Sequence, residues 1–236
     1  MSDDGIPAAL ARVRERITDA ARRAGRDPAE ITLVGVSKTV PAERVAEAVD
    51  AGLGDLGENR AQELLPKARA LAGLEPRWHF VGTLQRNKIA ALAPWVDLWH
   101  SIDRADLVPP LARHAPRSAV LVQVNLAGKP GQSGCAPDAA KGLVDECSAA
   151  GLEVRGLMTI APQGGEKIAG SGGEKIAGSG GEPRRWFAAL RDLATTLRLP
   201  ELSMGMTEDF EDAIAEGATL VRVGRAIFGE RPPDSR

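Results

Sequence analysis

Eight short runs of β-branched and aliphatic residues alternate along this chain with segments whose apolar residues recur every three or four positions. None of the runs is long enough for a helix. The runs lie at 31–38 (ITLVGVSK), 55–58, 77–82, 97–102, 119–126, 154–160, 202–206 and 220–223. A strand followed by a helix, repeated without a large remainder, calls for parallel strands joined by crossover helices. Between the runs, Pro41 opens a helix carrying Val45 and Ala48, and Asn59 starts one carrying Leu64, Leu65, Ala68 and Leu71. Asp103 stands as N-cap before Leu107 and Leu111, Gly151 stops a helix over 138–150, and Thr207 stands as N-cap before Phe210, Ala213 and Ile214. Further helical segments are read over 85–93 and 183–197. Ahead of the first run, Ile6, Leu10, Val13, Ile17 and Ala21 mark an additional amphipathic helix closed by Gly25. The pattern predicts an α/β fold: a (β/α)₈ TIM-type barrel with an extra N-terminal helix, one domain spanning residues 1–236. A doubly wound open sheet would use the same elements, because counting them does not show closure.

The 30 basic and 32 acidic residues leave a net charge of -2, which gives no electrostatic case for nucleic acid or an anionic membrane surface. No apolar run approaches the length of a membrane-spanning helix, and the opening MSDDGIPAAL lacks the basic and apolar regions of a signal peptide. The expected location is the cytoplasm. Cys135 and Cys147 match no metal or redox spacing and are expected to be free thiols. No metal site is expected.

In a barrel of this kind the active face is formed by the C-terminal ends of the strands, with phosphate commonly bound after strands seven and eight. Lys38 ends the first run. Burial beside a pocket disfavours the ammonium form and prepares an amine for Schiff-base chemistry, although most lysines at strand ends are simply solvated. The stretches LSMGMTED and LVRVGRAIFG place Ser203, Gly205, Arg222 and Gly224 where strands meet helix N-termini, so free N–H groups can face an anion. Glycines there are equally ordinary turn residues, and His79 reads as a packed strand histidine as readily as a chemical group. A phosphate cradle beside a recessed lysine points to a phosphorylated carbonyl compound.

At this point the residues resemble a known family. VGVSKTVP around Lys38, LGENRAQE at 56–63, WHFVGTLQRNK at 78–88, GLMTI at 156–160 and LSMGMTEDFEDAIAEGATLVRVGRAIFG at 202–229 are similar to the pyridoxal phosphate homeostasis proteins, single-domain relatives of the alanine racemase barrel. The resemblance covers nearly the whole chain. It implies pyridoxal 5'-phosphate held as a Schiff base on Lys38. It further implies that Ser203, Gly205, Gly224 and Arg225 hold the phosphate, that Arg222 faces the pyridine nitrogen, and that Asn59 lines the cofactor face. An arginine beside that nitrogen disfavours the protonated ring and weakens it as an electron sink. The implied role is intracellular homeostasis of the cofactor, with pyridoxal-phosphate-dependent enzymes as acceptors, in a monomer or weak dimer without a catalytic residue of its own. The alternatives are an amino-acid racemase and a class I aldolase-type lyase. Racemases of this barrel use a second base, a tyrosine, and a second domain; this chain has no tyrosine.

Two departures from the family pattern stand out. Gln132, in GKPGQSGC, takes the place of a usual lysine, which puts any secondary cofactor site in doubt. GGEKIAGS at 164–171 is repeated at 172–179, so 164–182 is expected to be a flexible duplicated insertion at the rim of the mouth.

Overall fold

The computed structural model describes residues 5–162 and 182–229. The duplicated segment expected as an insertion at 164–182 lies outside the described residues except for Glu182. Eight parallel strands form one closed barrel in sequence order: β1 (Thr32–Val36), β2 (Asp55–Glu58), β3 (Arg77–Phe80), β4 (Val96–Ile102), β5 (Ala119–Gln123), β6 (Glu153–Met158), β7 (Glu201–Ser203) and β8 (Leu220–Val223). Thr32 pairs with Leu220 and Gly35 with Val223, so the sheet closes on itself and the open-sheet alternative falls away. The helices are α1 (Ile6–Arg23), α2 (Ala42–Asp50), α3 (Ala61–Ala70), α4 (Ile89–Leu92), α5 (Val108–His114), α6 (Ala140–Ala149), α7 (Glu182–Leu197), α8 (Phe210–Ala215) and α9 (Arg225–Phe228).

Two apolar regions follow from this closure. The larger lies between sheet and helices, and includes Leu56, Trp99, Val122 and Leu157 from the strands with Val45, Leu64, Trp186 and Phe210 from the helices. A separate cluster of Val34, Leu98, Ala119, Leu121, Met158 and Leu220 comes entirely from strands and fills part of the barrel interior.

The seam between β8 and β1 is covered by α1, which packs on α2, α8 and α9 through buried Ile6, Leu10, Val13 and Ile17. Arg26 Nη1 donates to the carbonyls of Ile214 and Ala218 at 3.0 and 2.8 Å, and Arg16 meets Glu211 at 3.0 Å. Chain segments nearly two hundred residues apart are therefore tied at one place.

Local capping differs from expectation at three places. Asp103 makes no cap bond and instead pairs with Arg104 at 2.8 Å; the following turn is entered through Arg104. Asp209, not Thr207, precedes α8, and its Oδ1 accepts from the Met206 N–H at 2.6 Å. Likewise α3 begins at Ala61 behind Arg60, two residues after Asn59, which leaves Asn59 in the loop above β2.

Both cysteines are free. Burial pushes the Cys135 thiol up to about 11 and that of Cys147 to about 12, against the ordinary range near 9. Because the thiolate is the reactive species, native protein at about pH 8 is expected to resist iodoacetamide, with both cysteines labelled after denaturation. Rapid native labelling of Cys147, read by mass spectrometry, would contradict its burial.

Candidate functional site

The C-terminal ends of the strands enclose a cavity of about 770 Å³, within the range of small-molecule sites. Its wall includes Lys38, Asn59, Gly82, Gln123, Gln132, Arg222, Gly224 and Arg225, together with the turn from Met206 to Asp209. An adjoining cavity of about 260 Å³ shares Val36, Lys38, Gly224 and Arg225 with it, so Lys38 stands on the partition between the two.

Lys38 lies two residues beyond the end of β1, half-buried, in a turn. Its chain neighbours are held from outside the barrel. Ser37 Oγ donates to Glu58 Oε1 at 2.7 Å, and Lys67 Nζ donates to the Ser37 carbonyl at 2.7 Å and to Glu58 Oε1 at 2.5 Å. The Thr39 N–H donates to Glu63 Oε2 at 2.5 Å, with Thr39 itself at a φ of 67°. A β-branched residue in the left-handed region is strained, so the Glu63 contact helps to hold the turn against its own preference. Burial pushes the Glu58 carboxyl up, while the Lys67 ammonium and the Ser37 hydroxyl pull it back. The consequence is a rigid frame on both sides of the lysine.

Across the mouth, Arg222 is buried on β8, with Nη1 donating to Ser203 Oγ at 2.6 Å and Nη2 to the Thr159 carbonyl at 2.8 Å. Burial pulls its guanidinium down to about 10, opposed by the Asp209 carboxylate; it stays charged at neutral pH. Gly224 and Arg225 bring backbone N–H groups to the same wall, and those of Gly224, Arg225, Thr207 and Glu208 have no acceptor among the described residues. Asn59 Oδ1 is buried without a hydrogen-bond partner in the described residues. Backbone donors without acceptors and one buried acceptor without a donor thus belong to residues of a single cavity wall, which suits an occupant that supplies acceptors and a donor.

The placement separates the expected site residues. Lys38, Asn59, Arg222, Gly224 and Arg225 line the cavity together. Ser203 and Gly205 do not. Ser203 is fully buried, and its hydroxyl is committed to Arg222 and to His100 Nδ1 at 2.8 Å. Gly205 has a φ of 89°, and a Cβ there would stand 2.6 Å from Ala213 Cβ and 2.8 Å from Phe210 Cα; it is a close-packing position beneath the turn at 206–209. Gln132 Nε2 donates to the Ile160 carbonyl at 3.1 Å, and Ser133 Oγ lies 2.8 Å from Thr83 Oγ1, which straps the loop after β5 across one side of the mouth.

Two residues were not singled out as site-forming in the sequence. Lys67 falls on the apolar face of α3 at three- and four-residue spacing from Leu64 and Leu71, a signal that a lysine is being drawn inward. His100 stands two residues after Leu98 on β4 and shares its inward face, ahead of the register shift that carries Ile102 to the outer core.

A closed eight-stranded parallel barrel with a lysine and a donor-rich wall at its mouth defines the class, and residues 9–232 match the family described as alanine racemase, N-terminal domain. Sequence comparison narrows it. The chain is 42% identical over 229 residues to the pyridoxal phosphate homeostasis protein of Pseudomonas aeruginosa, covering 94% of each, and 41% identical to that of Aquifex aeolicus, covering 94% of this chain and 96% of the other. PipY of Synechococcus elongatus, solved with PLP bound, is 33% identical with a TM-score of 0.78, covering 95% of this chain and all of that one. An alanine racemase of Clostridium difficile shares the fold at 13% identity and a TM-score of 0.71, and the chain spans 58% of it. The chain belongs to the pyridoxal phosphate homeostasis protein family.

Proposed function

We propose that this chain binds pyridoxal 5'-phosphate in the mouth cavity and acts in its intracellular homeostasis, with Lys38 as covalent anchor. The observation that carries this is the convergence of Lys38, Arg222 and acceptor-less backbone N–H groups on one cavity of about 770 Å³. When bound, the cofactor supplies an aldehyde for an amine and a phosphate for N–H donors. The residues present fit that demand. Gly224 and Arg225, with the turn at Thr207 and Glu208, offer backbone donors to the phosphate; Arg222, a donor without acceptor capacity, faces the ring nitrogen and opposes a proton there. Asn59 Oδ1 gives an acceptor to the cofactor face. Ser203 and Gly205 act one layer below, fixing Arg222 and the 206–209 turn.

A ring kept unprotonated suits retention of the cofactor better than carbanion chemistry, and the chain contains no tyrosine for a second base. The protein is accordingly a cytoplasmic monomer that passes cofactor to pyridoxal-phosphate-dependent acceptor enzymes.

The test is covalent mapping. Protein mixed with pyridoxal phosphate, reduced with borohydride and digested is expected to carry the added mass on the peptide containing Lys38, with Lys67 and Lys129 unmodified. Modification spread evenly over surface lysines, undiminished in Lys38→Ala, would remove Lys38 from the anchor role.

A further inference from the structure

A line of polar side chains runs through the barrel interior from its other end to the mouth. At the N-terminal face, a cavity of about 410 Å³ is lined by Asp55, Arg77, His79, Asp97 and Arg155 among others. Arg77 grips Asp55 with Nε at 2.8 Å and Nη2 at 2.6 Å. Asp55 Oδ1 lies 3.0 Å from His79 Nε2, His79 Nδ1 lies 2.8 Å from His100 Nε2, and His100 Nδ1 lies 2.8 Å from Ser203 Oγ. Ser203 Oγ in turn accepts from Arg222, which reaches the mouth. His79, His100, Ser203 and Arg222 are all buried.

The two ends fix the direction of every bond between them. Asp55, gripped by Arg77, is a carboxylate and can only accept, so His79 Nε2 carries hydrogen and donates. With His79 neutral, its Nδ1 must accept from His100 Nε2–H. His100 Nδ1 is then bare and accepts from the Ser203 hydroxyl, which leaves that oxygen's lone pairs for the Arg222 guanidinium. No donor faces a donor anywhere along the line. A proton added at His79 would force Nδ1 to donate, shift hydrogen to the far side of His100 and turn the Ser203 hydroxyl away from it. Burial, with the positive charges of Arg222 and Arg155, holds His100 well below the usual histidine range, so His100 carries a single ring hydrogen and the line has one direction at a time. The other charged groups facing the pair are Asp55 from β2, Arg77 from β3 and Asp97 from β4, whose Oδ2 accepts from the Trp78 N–H at 2.7 Å. Asp209 acts on Arg222 from the mouth side.

We propose that Asp55, His79 and His100 are positioning residues that act through Ser203 on Arg222, so that the N-terminal vestibule of the barrel is coupled to the cofactor-bearing mouth. The coupling to cofactor rests on the function proposed above, whereas the directed line of bonds does not. Any group that binds or protonates the Asp55–Arg77 end in the vestibule alters, through one line of hydrogen bonds, the donor facing the cofactor ring. By reciprocity, a change at Arg222 must be felt at His79.

The chain has only three histidines, and the third, His114, is exposed and serves as internal reference. Selective ¹⁵N-histidine labelling of cofactor-free protein is expected to show His79 and His100 each as a single Nε2–H tautomer. A mixed or Nδ1–H tautomer at either would overturn the directed line. Asp55→Leu removes the acceptor and is expected to mix the tautomers of both histidines; Arg77→Gln, at the more exposed end, perturbs the same end should the first variant fail to fold. A change confined to His79 would break the relay at the next bond. Arg222→Lys is expected to move both histidine signals without any cofactor present, and silence at His79 would refute the coupling. In loaded protein, the pH midpoint of the visible band is expected to move by about one unit in Asp55→Leu or Arg77→Gln. An unmoved midpoint with altered histidines would confine the relay to the barrel interior. A wild type that takes up no cofactor would sink the cofactor reading alone, and the histidine spectra would still decide the relay.

Discussion

Lys67→Met is expected to lower the unfolding free energy by about 3–5 kcal/mol at neutral pH, because it leaves the Glu58 carboxylate buried without its counter-charge. Glu58 is fully buried, its Oε2 already has no partner among the described residues, and Lys67 Nζ is the cation 2.5 Å from Oε1. Urea titration would read the loss as a lower midpoint at unchanged slope. The pH dependence carries a sign. Burial raises the Glu58 pKa in the folded state, and losing Lys67 raises it further. A carboxyl whose folded pKa lies above its unfolded value favours the folded state while protonated, and that advantage is lost as pH rises from the unfolded value through the folded one. The deficit of Lys67→Met should therefore be smaller at about pH 5 than at about pH 8. Glu58→Leu in the same chain should recover much of it, since an apolar pair replaces an ion pair at little net cost. A deficit independent of pH, and unrelieved by the second change, would mean that the ammonium packs and does not neutralise. Lys67 also holds the Ser37 carbonyl, so slower cofactor capture at the proposed anchor, Lys38, is expected to accompany the loss of stability.

Gly205→Ala is expected to cost about 3 kcal/mol, which for a chain of this length is roughly 10 °C in the midpoint of thermal unfolding. Two penalties combine. The residue sits at a φ of 89°, where a side chain is strained, and the new Cβ would meet Ala213 Cβ at 2.6 Å and the Phe210 backbone at 2.8 Å. Neither neighbour is the far end of a flexible side chain, so β7 and α8 must separate, and the turn from Met206 to Asp209 moves with them. The variant should consequently lose cofactor retention as well as heat stability. Circular dichroism on heating, followed by dialysis of loaded protein, reads both. A variant that melts with wild type would show that the strand and helix have slack here.

What the sequence revealed, and what it hid, follows from the range of the interactions involved. β2 and β8 begin and end where the apolar runs do, and Gly151, at a φ of 81°, stops its helix as its residue type requires; these are local properties of neighbouring residues. Closure was not local. The pairing of Thr32 with Leu220 joins residues far apart in the chain, and alternation alone serves an open sheet equally well. The caps assigned to Asp103 and Thr207 failed because a second acid, Asp209, and a neighbouring cation, Arg104, competed for the same geometry. Lys38, Arg222 and Gly224 could be read as mouth residues from strand order, whereas Ser203 was drawn below the mouth by His100, a partner on another strand. The burial of Lys67 was hidden for a simpler reason. A lysine on a helix is ordinarily solvated, and Glu58 on β2 with the Ser37 carbonyl, both contributed by other elements, gives it cause to turn inward.

The seam under α1 also has a meaning in time. A ribosome delivers α1 and β1 first, yet the apolar stripe of α1 is covered largely by α8 and α9, and β1 finds its second neighbour only in β8. Until the last of these has emerged, the nascent chain carries an unpaired strand edge and the bare side of a helix, the two surfaces most prone to intermolecular pairing. Emergence of β8 and α9 is therefore the step that removes both hazards together, and a polypeptide released before it would be a substrate for chaperones or proteases.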